Sequence, residues 1–157
     1  MKKIYIEFLK ELYIRLEQNR DLMWSEWMKR SIKKFDENED IDYFLRAFGG
    51  MGSFNDYFTE NMVIELLKSI TYDCAYSLKD NRNQQIKDIL KQNIERLNNG
   101  IVREEKNSPS SLYYKQIMYD KEMLDYAIYI YENYKCGNLN LITENYLNQV
   151  KSEIKSK

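Results

Sequence analysis

Phe48-Gly49-Gly50-Met51-Gly52-Ser53-Phe54-Asn55-Asp56 packs three of the chain's five glycines into four residues, between two strongly helical segments. Glycine destabilises a helix interior by about 1 kcal/mol and belongs where the backbone needs positive φ. The stretch therefore specifies one sharp turn in an otherwise helical chain. Tyr43, Phe44, Leu45, Ala47 and Phe48 form an apolar run just before it, so Gly49 or Gly50 is placed to end a helix in the left-handed region. Ser53 is placed as the N-cap of the next helix, with Asp56 three residues later as an acidic form of the capping box. The rival reading is a phosphate cradle, because glycine-rich loops that open helices offer backbone N–H groups to anions. No Gly-Lys-Ser/Thr ending follows, and Asp56 puts negative charge where the anion would sit. The cap reading is preferred. Gly49, Gly50, Gly52, Ser53, Asn55 and Asp56 stand as the candidate lining if the turn serves a ligand.

The turn and the upstream Trp24-Ser25-Glu26-Trp27-Met28 together carry a resemblance. They are similar to a family of small uncharacterised bacterial domains with a Trp-x-x-Trp helix followed by a Gly-Gly-Met-Gly-Ser-x-Asn-Asp turn. The likeness covers about the first half of the chain, to near Leu78. It implies a bacterial source and no particular chemistry, since members occur as orphan genes or beside toxin genes. The tyrosine-rich second half departs from the pattern, so the resemblance assigns it no function.

Working outward, Ile4, Tyr5, Phe8, Leu9, Leu12 and Leu16 recur at helical spacing, as do Trp24, Trp27, Met28, Ile32 and Phe35 after a break at Asn19 to Asp21. The second of these helices has a basic outer face of Lys29, Arg30, Lys33 and Lys34. Five of the next seven residues, Asp36 to Asp42, are carboxylates. They lack the ligand order of a calcium loop, and read as a solvated connector ending in an Asp cap, neutralised by the basic stripe beside it. A short helix from about Ile41 to Phe48 enters the glycine turn. Met62, Val63, Leu66, Leu67, Ile70, Cys74 and Leu78 define an amphipathic helix beyond it, with Phe58, Tyr72 and Tyr76 on a second stripe. Ile86, Ile89, Leu90, Ile94 and Leu97 define another, which Asn98-Asn99-Gly100 is expected to end. Arg103 to Ser111 reads as a loop, with Ser108 and Pro109 placed to start the next helix.

Leu112 to Cys136 reads as the longest helix, holds seven of the fourteen tyrosines and stops at Gly137. At 100° per residue, Leu112, Ile117, Met123, Leu124, Ala127, Ile128 and Ile130 share one face with Tyr113, Tyr131 and Tyr134. Tyr119, Tyr126 and Tyr129 fall outside it, among Lys115, Glu122, Asp125 and Asn133. Tyrosine suits an interface because it buries a large ring, keeps a polar end and has little side-chain entropy to lose. The competing reading is a central helix enclosed by its own bundle. A last helix turns Tyr146, Leu147, Val150 and Ile154 inward, with Thr143 as its candidate cap.

Composition bounds what remains. At 157 residues with 43% hydrophobic and 31% charged content, the chain is the size of one globular domain. A net charge of −1 argues against a nucleic-acid partner. No apolar run reaches the length of a membrane span, and Glu7, Lys10 and Glu11 interrupt what begins like a leader, so a cytoplasmic location is expected. Cys74 reads as a core residue and Cys136 as an exposed one, with no disulfide framework and no metal site between them. The chain has no histidine, which removes Ser-His-Asp and Cys-His machinery and leaves only carboxylate, tyrosine or lysine chemistry open. No cofactor motif is present.

The sequence thus predicts a single all-α, bundle-like domain over residues 1–157 of six or seven helices, with a soft internal boundary at 99–111. The favoured function is a small bacterial protein-binding inhibitor, immunity-like, that occludes a partner such as a cognate toxin in a toxin–antitoxin pair. Its contact residues would be Tyr119, Tyr126, Tyr129, Glu122 and Asp125, with Asp36, Glu37, Glu39 and Asp40 facing a basic target. The alternatives are a small-ligand-binding domain or histidine-free enzyme at the Gly49 to Asp56 turn, and a homodimer paired through its tyrosines.

Overall fold

The computed structural model describes residues 1–107 and 111–156, and it is all helical: no strand occurs among the described residues. The order is α1 (Lys2–Gln18), α2 (Leu22–Asn38), α3 (Ile41–Leu45) running into a 3-10 turn (Arg46–Phe48), α4 (Met62–Lys79), α5 (Ile86–Asn107), α6 (Ser111–Asn133) and α7 (Leu139–Lys155). The chain divides into two compact units, Met1–Ile89 and Leu90–Lys157, with the division inside α5.

In the first unit α1 packs against both α2 and α4, and α3 bridges α2 and α4. The period of α1 explains this. Tyr5, Phe8, Leu9, Leu12 and Leu16 are fully buried, and they face Met28 and Phe35 of α2 and Ile64, Leu67, Ile70 and Cys74 of α4 as further core residues. Burial holds the Cys74 thiol far above its ordinary pKa, as expected of an inert core cysteine. Cys136 is exposed.

One pair within this core was not legible from the apolar stripe. Glu11 and Arg15, one turn apart on α1, are both almost fully buried, with Arg15 Nε donating to Glu11 Oε1 at 2.7 Å and Nη1 donating to Gln18 at 3.0 Å. Two opposite charges at i and i+4 travel into the interior together, because neither can be desolvated alone.

Local starts and stops differ from the sequence expectation at four places. The helix after the glycine turn begins at Met62 and is capped by Asn61, whose side chain accepts from the Val63 and Ile64 amides, so Ser53 is not a helix cap. Asp36 and Glu37 belong to the last turn of α2, so the acidic run is only partly connector. Glu39 ends that helix at φ 57° and Asp40 caps α3 through the Tyr43 amide at 2.9 Å, as the Asp-cap expectation required. Third, α5 does not stop at Gly100 but continues to Asn107. Ile101, one turn beyond Leu97, is buried and carries the apolar stripe across the glycine, which outweighs that residue's poor propensity. The predicted loop start at Arg103 is therefore helical, while Ser108 and Pro109 lie outside the described residues.

Finally, α7 starts at Leu139, so Thr143 sits inside it as a buried residue instead of capping it. In the second unit α6 packs on α7. Tyr126 bonds to Thr143 while Glu122, earlier in α6, is reached by Tyr146, later in α7, so the two helices run antiparallel. Ile117, Ala127, Ile130 and Tyr134 are buried as predicted. Ile128 is exposed, because one residue past Ala127 it has turned 100° out of the buried sector. The side chains of Leu112 and Tyr113 lie outside the described residues.

Two outcomes follow for unfolding experiments. A Cβ added at Gly100 meets no atom within 4 Å, so Gly100→Ala should raise stability by about 0.5–1 kcal/mol in urea denaturation. A loss of stability would mean that α5 breaks there. Glu11→Leu alone should destabilise by about 3 kcal/mol or more, because it strands a buried guanidinium, whereas Glu11→Leu with Arg15→Met should recover most of that loss. Equal losses in the single and double variants would contradict the pairing.

Candidate functional site

The glycine turn is built from three glycines in two conformations. Gly49 is extended, with φ −109° and ψ 131°, and the positive φ values fall instead at Gly50 (88°) and Gly52 (72°). Of the two glycines expected to end the helix in the left-handed region, Gly50 does so and Gly49 does not. The loop closes on itself through the Phe54 amide donating to Ala47 O at 2.7 Å and Asn55 Nδ2 donating to Phe48 O at 2.8 Å. Ser53 is buried and its Oγ accepts from the Asn55 amide at 3.3 Å. Gly52 donates its amide to Asp56 Oδ2 at 2.8 Å, so the turn's own carboxylate takes the place an anion would use. Met51, at the tip, is fully exposed.

Aromatic packing holds this loop. Phe54 is completely buried, with its ring centroid 4.5 Å from Trp24, 5.5 Å from Phe48 and 5.6 Å from Tyr57. Phe48 in turn meets Phe44 at 5.2 Å and Tyr72 at 4.7 Å, and Trp27 stacks on Tyr43. Lys68 of α4 adds a polar tie. Its ammonium donates to Tyr57 O at 2.9 Å, pairs with Glu65 at 2.9 Å and lies 5.2 Å from the Phe54 ring centre. The Trp-x-x-Trp helix and the turn are thus two halves of one packed device.

The acidic run of the first unit is largely engaged in internal work. Glu39 pairs with Lys2 at 2.6 Å, Glu37 lies 3.7 Å from Lys33, Asp42 pairs with Lys79 at 2.8 Å, and Asp40 is the α3 cap. Asp36 is exposed in the last turn of α2. Among the described residues no three acidic or cysteine side chains gather closely enough to hold a metal ion.

The tyrosines of α6 separate into different roles. Tyr126 was expected on a surface face and is instead fully buried. Its hydroxyl lies 2.7 Å from Thr143 Oγ1, and since that threonine donates its only proton to Leu139 O, Tyr126 is the donor. The packing of α6 on α7 puts Tyr126 in the groove between them, where its polar end is satisfied, and the polarity of its neighbours in sequence does not reveal this. Tyr119 is half-buried and already engaged. Tyr129 is half-buried, 5.2 Å from Tyr146 of α7, whose ring also lies 4.9 Å from Tyr126. Glu122 and Asp125 are exposed on the same edge of α6. They join Glu153 of α7 in acting on Tyr146, whose phenol is pushed up to about 12, first by burial and then by these three carboxylates. The sequence places Tyr146 inward on the last helix but marks neither it nor Glu153 as part of this edge. Only the pairing of α6 with α7 brings them to this edge, although their seven-residue spacing places both on one side of α7.

Residues 17–61 match the model of a domain of unknown function (DUF6966). The matched segment runs from the end of α1 to the cap of α4, and is less than a third of the 157-residue chain. It contains the rings of the aromatic device from Trp24 to Tyr57, and it stops before Lys68, Tyr72 and the α6–α7 edge. No curated protein and no solved structure matches the chain. Among the described residues no helix is long and apolar enough to cross a membrane.

The α6–α7 edge gives a titration that can be read directly. A phenol pKa raised in the folded state contributes stability that is complete below the ordinary value near 10 and is lost as pH rises through about 12. Tyr146 should ionise near pH 12 when followed by its ring carbon shift, and E122Q/D125N/E153Q should lower that value without returning it to 10, since burial remains. No change in the triple variant would separate the three carboxylates from Tyr146.

Proposed function

We propose that the protein is a small protein-binding inhibitor, immunity-like in character, that works by covering a surface of a partner protein with the α6–α7 edge. The observation that carries this reading is Tyr129, a half-exposed ring backed at 5.2 Å by the buried Tyr146 and flanked by the exposed Glu122 and Asp125. A large ring fixed from behind, with carboxylates around it, loses little entropy on binding, and this is the usual form of an interface anchor. The lack of any histidine and the inward-bonded glycine turn direct attention away from catalysis and toward contact.

The wider setting belongs to the same proposal. A bacterial, cytoplasmic inhibitor of a toxin is the kind of protein that the resemblance of the first half implies. The second half would then supply recognition, which is where such proteins need to differ from one another.

The test is site-specific photo-crosslinking in the native host. A benzophenone side chain is placed at position 129 and, as a control, at Leu141, which is exposed and lies about 140° around α7 from Tyr146. One dominant heterologous adduct at 129 and none at 141 is the expected result. Equal adducts at both positions, or none at 129, would contradict the reading. An adduct with a second copy of the chain would replace it with self-pairing.

A further inference from the structure

Four large apolar side chains of the first unit are left to solvent beside its aromatic plug. Leu22, Met23 and Phe58 are each 65–71% exposed, and Met51 is completely so. Ring geometry brings together the three segments that carry them. The ring centre of Trp24 lies 4.5 Å from that of Phe54 and 6.3 Å from that of Tyr57, and the last two are 5.6 Å apart. Leu22 and Met23 immediately precede the first of these rings, Met51 stands shortly before the second, and Phe58 follows the third. Asn19 Nδ2 also reaches Thr59 Oγ1 at 3.5 Å, which ties the start of α2 to the end of the turn segment. The rings fill the interior while their neighbours in sequence face water. Single exposed apolar residues are normal on a protein surface, but a gathering of this kind marks a place of contact. All four residues lie within the family-matched segment 17–61, and none belongs to the second unit.

Charge selects what covers this corner. Asp21, bonded to Asn19 at 2.6 Å, stands next to Leu22, and Asp56 holds the Gly52 amide at 2.8 Å, one residue from Met51. With Glu17 and Glu60, both exposed, they stand against a single base, Arg20, in residues 17–26 and 51–61; Glu26 is taken by Arg30. Lys68 of α4 approaches the Tyr57 ring but is nearly buried and paired with Glu65. The basic residues of α2 begin at Lys29, about 9 Å along the axis from Met23. An acidic border opposes an anionic lipid surface, and it opposes a second copy of the same patch, since like charges would meet. It suits an apolar face edged with bases. Two of the four residues are methionines, whose unbranched side chains adapt to the shape of an incoming apolar face. We propose that this corner of the first unit is a second protein-contact surface, and that its occupant is a basic amphipathic helix of another protein. The apolar face of that helix covers Leu22, Met23, Met51 and Phe58, and its lysines or arginines meet the bordering carboxylates. The inference is independent of the α6–α7 edge and adds to it.

The experiment titrates the full chain with an acetylated, amidated peptide that repeats Leu-Lys-Lys-Leu-Leu-Lys-Leu twice, and with its Leu/Glu counterpart. Binding is read from backbone NMR shifts. Saturable shifts confined to residues 19–24 and 51–60 are expected with the lysine peptide and not with the glutamate one. L22S/M23S, which changes only exposed side chains, should weaken binding by about tenfold while the remaining spectrum stays folded. E17Q/E60Q should weaken it by a few fold, and added salt should do the same in the native protein. Absent shifts, shifts centred on other faces, equal binding of the glutamate peptide, or unchanged affinity in L22S/M23S would each overturn the inference. Sedimentation of the protein alone, and with vesicles of phosphatidylcholine and phosphatidylserine, tests the other occupants. A dimer that L22S/M23S abolishes would put a second copy in place of the helix, and vesicle binding that L22S/M23S abolishes would put a lipid surface there. Crosslinking at position 129 reports a different contact, so either result leaves the reading of the α6–α7 edge unchanged.

Discussion

The burial of Phe54 is the contact on which the first unit depends. A turn with glycines at φ 88° and 72° has little intrinsic reason to hold one shape, and its tip, Met51, is fully exposed. What fixes it is a ring driven completely into the protein two residues past the last glycine. That ring joins Trp24 of α2 to Phe48 before the turn and Tyr57 after it. Burying an aromatic side chain of this size contributes on the order of 3 kcal/mol, more than any single cap in the loop. Lys68 then ties the same segment to α4 through the Tyr57 carbonyl. The plug thus links α2 to the segment that leads from α3 to α4.

Under the proposed function the glycine turn and the α6–α7 edge have separate tasks. The glycine turn looks at first like the place for chemistry, since loops rich in glycine so often cradle a ligand. Here its polar groups point to one another: Gly52 to Asp56, Asn55 to Phe48, and Phe54 to Ala47. The tyrosine edge of α6 and α7 has the opposite character. Tyr146 holds the rings of Tyr126 and Tyr129 at 4.9 and 5.2 Å, and the exposed Glu122 and Asp125 of the same helix edge enter none of the ion pairs among the described residues.

The helical class, the positions of α1, α2 and α4, and the core role of Cys74 were all legible in the sequence, because apolar residues at a period of 3.6 need no tertiary information to interpret. The Asp40 cap was legible for the same reason. Three things were not. Gly100 reads as a stop signal, yet Ile101 supplies burial enough to carry α5 through it. Ser53 reads as a cap, yet Phe54 beside it is drawn into the core, and that keeps the chain irregular until Asn61. Tyr126 reads as a surface residue among polar neighbours, yet the groove against α7 satisfies its hydroxyl through Thr143. In each case a long-range contact outweighed a local preference. The candidate site suffered most, since Tyr146 and Glu153 reach it only through the pairing of two helices.

The account stands most directly on the role of Phe54, and one measurement tests it: urea unfolding of Phe54→Ala followed by the emission of Trp24 and Trp27. The aromatic device predicts a loss of about 3–5 kcal/mol together with a change in native-state emission, as Trp24 loses its nearest ring. A loss below about 1 kcal/mol with unchanged emission, within the ordinary range for a surface substitution, would contradict it. The turn would then be held by its glycines and hydrogen bonds alone.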